Sequence, residues 1–488
     1  MKALLVYPKI PDTFWNFKHI LKFIGKRAAH VPLGMLTVAS MMPKDWELKL
    51  IDMNVEKLLD KDIQWADMVF IGAMVVQKDS VREVIDLCKL FGKKTIAGGP
   101  LFTSLSDQYS DIDHLVLNEA EITFVQFLKD FSTGSPRRIY YSEEKPDITQ
   151  TPLPRWDLIN MSYYASMSIQ YSRGCPYDCE FCDIVKLNGR RPRVKSSEQM
   201  IREFNILYDM GWRGRCFIVD DNFIGNKFKV KQLLRDLIPW QQKRNFPFTL
   251  FTEASVNLAE DHELMRLMTE AGFDSVFLGL ETPAEECLLE CGKHQNTAKD
   301  LVEAVKTIQR NGMEVMGGFI IGFDNDPPNI FERQIAFIQS SGVVKAMIGL
   351  LNAIPGTKLY QRLQNEGRLI DGCTGDNCDG SLNFIPKMDA EKIRAGYQAV
   401  LDNIYSPREY YYRVLEFLKE YKPTRKRRIN TLEIKALIRS MIYLGILEKG
   451  KIYYWKLFIR ALMFHRSAFG EAISSALFGY HFRKLLSK

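Results

Sequence analysis

The run Cys175-Pro176-Tyr177-Asp178-Cys179-Glu180-Phe181-Cys182 decides how the whole chain is read. Its C-x3-C-x2-C spacing puts three thiolates on one short loop. A four-iron four-sulfur cluster has four iron corners, and ferredoxin-type clusters fill them all with cysteine. Structural zinc sites likewise close with four ligands. Three cysteines therefore describe a cluster with one iron left open, which is what a cluster needs if it must bind and reduce a substrate. Two plainer readings fit the same run: a zinc knuckle short of one ligand, or three neighbouring thiols that share no ion.

Working outward, the loop follows an apolar strand pattern at 168–171. Further strand patterns fall at 216–219, 249–252, 275–280, 314–321 and 346–351, and helical patterns at 196–210, 261–271, 297–311 and 329–340 lie between them. Six βα units predict a partial (β/α)6 barrel, with chemistry at the C-terminal rim of its strands. This segment, 146–369, is entered through Pro152-Leu153-Pro154-Arg155-Trp156, whose prolines read as an extended linker. Residues 1–145 show strand patterns at 3–7, 47–51, 68–71, 94–97 and 114–117, with helical stretches such as 33–42 and 81–91. That rhythm predicts a doubly wound parallel sheet, whose ligand sits beyond the C-terminal strand ends. Those ends are small: Gly72-Ala73-Met74, Gly98-Gly99-Pro100 and Asn118-Glu119-Ala120-Glu121. The fold class is thus α/β, closed by a mostly helical segment over 370–488.

With Phe181 just before the last cysteine, the loop resembles the signature of the radical S-adenosylmethionine (SAM) superfamily. The order Val31-Pro32-Leu33-Gly34, Ile51-Asp52-Met53-Asn54, Gly98-Gly99-Pro100 and Asn118-Glu119-Ala120-Glu121 resembles the cobalamin-binding domain in front of many radical SAM cores. That family usually reads G-E-x-E where Asn118 begins the last motif. It also lacks here the D-x-H-x-x-G motif of other cobalamin proteins, and His114 reads as structural. Asp220-Asp221-Asn222-Phe223-Ile224-Gly225-Asn226 and Asn383-Phe384-Ile385-Pro386-Lys387-Met388 resemble the branch that contains the hopanoid methylases, which act on isoprenoid lipids.

The resemblance implies that Cys175, Cys179 and Cys182 hold a [4Fe-4S] cluster whose open iron takes SAM. Reductive cleavage then gives a 5′-deoxyadenosyl radical, and cobalamin carries the methyl group to an unactivated carbon. Candidate SAM contacts are Phe181, the carboxylates Asp220, Asp221, Glu253 and Glu281 at strand ends, and Gly317 and Gly318, where a missing side chain would admit adenine. Charge-assisted bonds from the SAM ammonium suit the carboxylates, although a solvated loop or helix cap explains Asp220 and Asp221 as well. Candidate cobalamin contacts are Gly72, Ala73, Met74, Gly98, Gly99, Asn118 and Glu119. No further catalytic residue stands out.

The chain has 488 residues and a net charge of +7. From Lys422 onward it carries fifteen Lys/Arg against three acids, +12, which leaves −5 for the rest. An anionic partner for that last segment is expected. The aromatic, basic run from Ile452 to Arg460 fits a membrane-surface helix, RNA phosphates, or a merely solvated lid; the hopanoid-methylase resemblance favours the membrane, so no nucleic acid is expected. The first apolar run is too short for a signal peptide and reads as a strand, so the nine cysteines are expected as reduced thiols in the cytoplasm, with peripheral contact on the inner membrane face. Cys88 and Cys216 read as core. Cys287, Cys291, Cys373 and Cys378 are too scattered to argue for a second metal site.

The expected activity is C-methylation of a small hydrophobic, isoprenoid substrate, with an electron donor such as flavodoxin or ferredoxin. Two alternatives stay open: another radical SAM reaction (lipid cyclisation, C–C coupling or rearrangement), and a non-catalytic iron–sulfur or zinc module that binds RNA or protein.

Overall fold

The computed structural model describes residues 1–370, 372, 374–376, 378–425 and 431–486, with the backbone alone for 431–433. Cys373 and the basic run Lys426-Arg427-Arg428 lie outside the described residues.

The first sheet contains β1 (Lys2–Tyr7), β2 (Glu47–Asp52), β3 (Met68–Gly72), β4 (Lys94–Gly98), β5 (His114–Val116) and the short edge strand β6 (Ile139–Tyr140), in the order 2-1-3-4-5-6. Every pairing is parallel. Both faces are covered, so strands read as continuous apolar runs: Ala3 to Val6 are wholly buried. Alternation sends Ala3 and Leu5 into one core layer and Leu4 and Val6 into another. The order reverses between β1 and β3, which places the ligand crevice beyond their C-terminal ends.

The second sheet runs β7 (Ser166–Ile169), β10 (Gly214–Ile218), β11 (Phe248–Ala254), β12 (Phe273–Glu281), β13 (Glu314–Ile321) and β14 (Ala346–Leu350) in simple sequence order, all parallel. A small antiparallel pair, β8 (Ser172–Arg173) with β9 (Arg193–Val194), carries the chain into and out of the cysteine loop. One face of this open barrel is buried under helices, among them His262–Ala271 on β12 and Leu301–Arg310 on β13. The inner face is shared by Phe217, Phe251, Glu253, Phe277, Gly318 and Met347, as the pairing register requires.

The stretch expected as a linker is instead packed. Trp156 is buried, and the Arg155 amide donates to the Leu36 carbonyl. The last helix, Phe469–Leu486, returns to the N-terminal segment: Phe482 stacks on Phe14 with centroids 4.2 Å apart, and the Tyr410 hydroxyl donates to the Ser475 carbonyl at 2.6 Å.

Candidate active site

The cysteine loop sits at the C-terminal end of β7, and its neighbours hold it from every side. Asp220, after β10, accepts from the Tyr171 and Ser172 amides at 2.8 and 2.9 Å and from the Ser172 hydroxyl at 2.6 Å. Asp221 accepts from the Gly174 amide at 2.8 Å and from Asn188 Nδ2 at 2.9 Å. Both carboxylates, expected at the SAM ammonium, are instead spent on shaping the loop. Their place at a strand end was readable in sequence; the direction of their side chains was not. Burial pushes the Asp220 carboxyl up to about 7 even against its three donors.

Asn222 then links the loop to β11. Its Nδ2 lies 3.8 Å from Cys175 Sγ and 3.2 Å from Ser255 Oγ. Ser255 in turn donates to Asn257, whose Nδ2 bonds the Tyr177 hydroxyl at 3.0 Å. On the far side the Glu180 amide donates to the Cys291 carbonyl at 2.8 Å, and Gln295 Nε2 lies 3.8 Å from Cys179 Sγ. Amide N–H groups beside cysteine sulfurs are a recurrent means of tuning iron–sulfur clusters. Cys175, Cys179 and Cys182 all remain partly exposed, and burial raises the thiols of Cys175 and Cys182. Cys175, Cys179 and Cys182 lie on one loop, where each thiolate could take its own iron of a cluster.

Sequence reasoning missed Lys293, which follows the helix Glu285–Glu290 in a loop without a motif. Its ammonium pairs with Glu281 and lies 5.9 Å from the centre of the Phe181 ring. Burial alone would lower the lysine, but the charges of Glu281 and Cys179 hold it above the ordinary range. Glu281 is thus turned toward a cation beside the cysteine loop. Its backbone is left-handed (φ 63°) where the β12–β13 register shifts, a strain typical of functional sites.

Glu253 differs from the other carboxylates. It lies on the inner face, partly exposed, and makes no hydrogen bond to a described residue. Burial, with the charges of Asp221 and Asp220, pushes it up to about 8. Among the described residues it has no cation partner. Around it the inner face is aromatic. Phe217 and Phe251 stack at 4.6 Å, His30 lies 5.2 Å from Phe217, and Trp15 meets Phe277 edge-on at 5.3 Å. Trp15 and His30 come from the first domain, which therefore faces the barrel interior.

The glycines expected to admit adenine are explained by the protein's own packing. A Cβ at Gly317 would fall 2.8 Å from the Phe319 ring, and one at Gly318 would fall 2.8 Å from the Phe277 ring.

At the crevice of the first sheet, Gly99 is left-handed (φ 97°) and tucks against the Ala73 carbonyl; a Cβ at Gly98 would meet Val116 O at 2.8 Å. Ala73 is buried and Met74 exposed. The Asn118 side chain donates to the Ser142 carbonyl. Gly34 opens on empty space, while Gly72 is covered by the Met35 thioether; the small residues Ala73, Gly98 and Gly99 at the strand ends are what the approach of a large flat cofactor needs. Glu119 does not point toward them: its carboxylate is clamped by Arg173 and Arg193 at 2.7 Å each. Glu121 completes the network through Arg173 at 2.8 Å. This network ties the first domain to the residue two before Cys175.

The other described cysteines have partners outside the loop or meet it only through backbone, as Cys291 does. Cys88 and Cys216 are core, Cys287 donates to Asp326, and Cys378 donates to the Ile348 carbonyl. His114 bonds the Arg137 carbonyl, a structural role.

Residues 169–338 match the family model of the radical SAM superfamily, and residues 357–488 match a domain of unknown function, DUF4070. The chain is 41% identical over 489 residues to an uncharacterized methyltransferase of Synechocystis sp., covering 99% of this chain and 91% of that one. It is 33% identical over 476 residues to hopanoid C-2 methylase of Rhodopseudomonas palustris, covering 95% and 89%. Its fold is similar to that of TsrM, a radical SAM methyltransferase from Kitasatospora setae solved with cobalamin and a [4Fe-4S] cluster bound. That likeness has a TM-score of 0.64 at 14% identity and covers 100% of both chains.

Proposed function

The chain belongs to the radical SAM superfamily, among the relatives of hopanoid C-2 methylase, and from that premise we propose that it is a cobalamin-dependent methyltransferase acting on an unactivated carbon of a hydrophobic, isoprenoid lipid. One observation carries the reading: a three-thiol loop faces, across an aromatic-lined interior, a first domain whose parallel sheet reverses its strand order at small-residue strand ends. When bound, the cluster and cobalamin supply the electron that cleaves SAM and the carrier for its methyl group.

The chain's own residues do the rest. Cys175, Cys179 and Cys182 hold the cluster, with Asp220, Asp221 and Asn222 fixing the loop that carries them. Glu253 accepts the SAM ammonium, a charge-assisted contact in a site already short of a cation. Phe217, Phe251, Phe277 and Trp15 exclude water and present an apolar wall to the substrate. Glu119 and Glu121 hold Arg173, and so fix the distance between the two cofactor sites. Gly72, Ala73, Met74, Gly98, Gly99 and Asn118 shape the cobalamin mouth. An electron donor of the flavodoxin or ferredoxin type completes the reading.

The test is anaerobic reconstitution with iron, sulfide and hydroxocobalamin, followed by incubation with SAM, dithionite and cyclic isoprenoid lipids. The reading expects about four irons and about one cobalamin per chain, release of 5′-deoxyadenosine, and a lipid heavier by one methylene. A product two hydrogens lighter would point to cyclisation instead, and a protein that releases no 5′-deoxyadenosine would sink the reading.

A further inference from the structure

We propose that the face built by the helices Thr431–Ile442 and Lys451–Phe464 docks the protein on an anionic phospholipid bilayer. Of the 24 large apolar side chains exposed among the described residues, eleven fall within 434–464. They follow helical spacing. Ile434, Ile438 and Ile442 recur every four residues along the first helix, and Ile452, Ile459 and Met463 line the outer side of the second. Ile446 and Leu447, at the turn between the helices, are 60% and 68% exposed. A monomer rarely leaves so much contiguous chain apolar and wet without a use for it.

The charge on the same stretch is one-sided. From Ile434 to Gly470 there are seven Lys/Arg and the single acid Glu448. Glu448 is turned inward to Arg483 at 3.1 Å. None of the seven cations is in an ion pair among the described residues. Apolar residues that can enter the headgroup boundary, with lysines and arginines interspersed, are the pattern that binds anionic lipid.

The same pattern disfavours other occupants. A two-fold contact between copies would set the unpaired cations face to face. Single-stranded RNA needs rows of exposed rings for stacking, but of the eleven exposed apolar side chains only Tyr443 and Phe464 are aromatic, while Tyr454 is buried, the Trp455 indole donates to the Gly445 carbonyl, and Phe458 packs edge-on against Phe469. Tyr454, Trp455 and Phe458 thus turn inward, and nine of the eleven exposed apolar side chains are Ile, Leu or Met. No helix among the described residues is long and apolar enough to cross a membrane, so the contact is peripheral.

The docking stands on the surface alone; only its use, bringing a lipid substrate to the enzyme, rests on the function proposed above. Vesicle binding is therefore measured without SAM or reductant, by cosedimentation of the full chain. Methylation is measured separately on detergent-dispersed lipid, so either idea can fail alone. Vesicles of phosphatidylcholine are compared with vesicles containing phosphatidylglycerol, at low and high salt. The expected result is binding that requires phosphatidylglycerol. Added salt, the pair Ile446→Ser and Leu447→Ser, and the pair Lys449→Glu and Lys451→Glu should each weaken it about tenfold or more, while thermal midpoints hold. No binding, or binding that neither pair reduces, overturns the proposal. So does light scattering that shows a dimer dispersed by the Ile446 and Leu447 changes, or a gel shift with single-stranded RNA tighter than the vesicle contact.

Discussion

Glu253 and Asp220 stand at neighbouring strand ends of one rim and are put to different uses. Asp220 is saturated by donors from its own chain, and Glu253 has none among the described residues. Replacing Asp220 with Asn should cost about 2 kcal/mol, read as a lower denaturation midpoint, and should reduce iron bound after reconstitution because the loop loses its anchor. Replacing Glu253 with Gln should leave iron content intact but weaken SAM binding about tenfold by calorimetry, the scale of one charge-assisted bond. The pH dependence of the unliganded protein has a definite sign. Folding raises this carboxyl from 4.5 to about 8, so the folded state favours its neutral form. That contribution is complete below pH 4.5 and fades as pH rises toward 8. The Gln variant, always neutral, should match the parent at pH 5 and exceed its thermal midpoint increasingly up to about pH 8. A constant difference across that range would contradict the assignment. The cysteine spacing made the loop readable from sequence, because thiols at such spacing have few other uses. Lys293 and Gln295 were not readable, since a loop residue's neighbours depend on the whole barrel.

At the level of elements, the link that matters runs from the start of the helix Ala120–Ser132 to β8. Glu119, Glu121, Arg173 and Arg193 are all largely buried, and a buried network loses most when one partner is removed. Glu119→Ala should cost roughly 3 kcal/mol and also lower cluster occupancy, because it frees Arg173 next to the cysteine loop. If it instead weakens cobalamin binding with cluster content and stability unchanged, Glu119 contacts the cofactor as its sequence position suggests. The strands themselves were legible: buried parallel strands leave continuous apolar runs, and those runs fall within a residue or two of β1 to β5 and β10 to β14. The edge strand β6 is two residues long, too short for any periodicity. The link Pro152 to Trp156 looked extended from its prolines, but Trp156 had an apolar site waiting in the core.

Across the whole molecule, the C-terminal helices are both a structural prop and an outward surface. The helix Phe469–Leu486 is locked to Tyr410: a Cβ at Gly479 would lie 2.3 Å from that ring. Gly479→Val should cost about 1–3 kcal/mol through overpacking, measured by chemical denaturation, and deletion from 430 onward should unfold the chain rather than merely detach it from lipid. Sequence showed that this segment was basic. It could not show which apolar residues face out, because the segment mixes buried and exposed apolar positions on the same helices. Cobalamin-dependent methyl transfer is tested with SAM carrying a deuterated methyl group, the anaerobically reconstituted protein and a cyclic isoprenoid lipid, in the presence and absence of cobalamin. The expected result is 5′-deoxyadenosine that disappears when Cys175, Cys179 or Cys182 is replaced by Ala, and lipid that gains the label only when cobalamin is supplied. Unlabelled product formed equally with and without cobalamin, while 5′-deoxyadenosine is still released, would contradict methyl transfer through cobalamin.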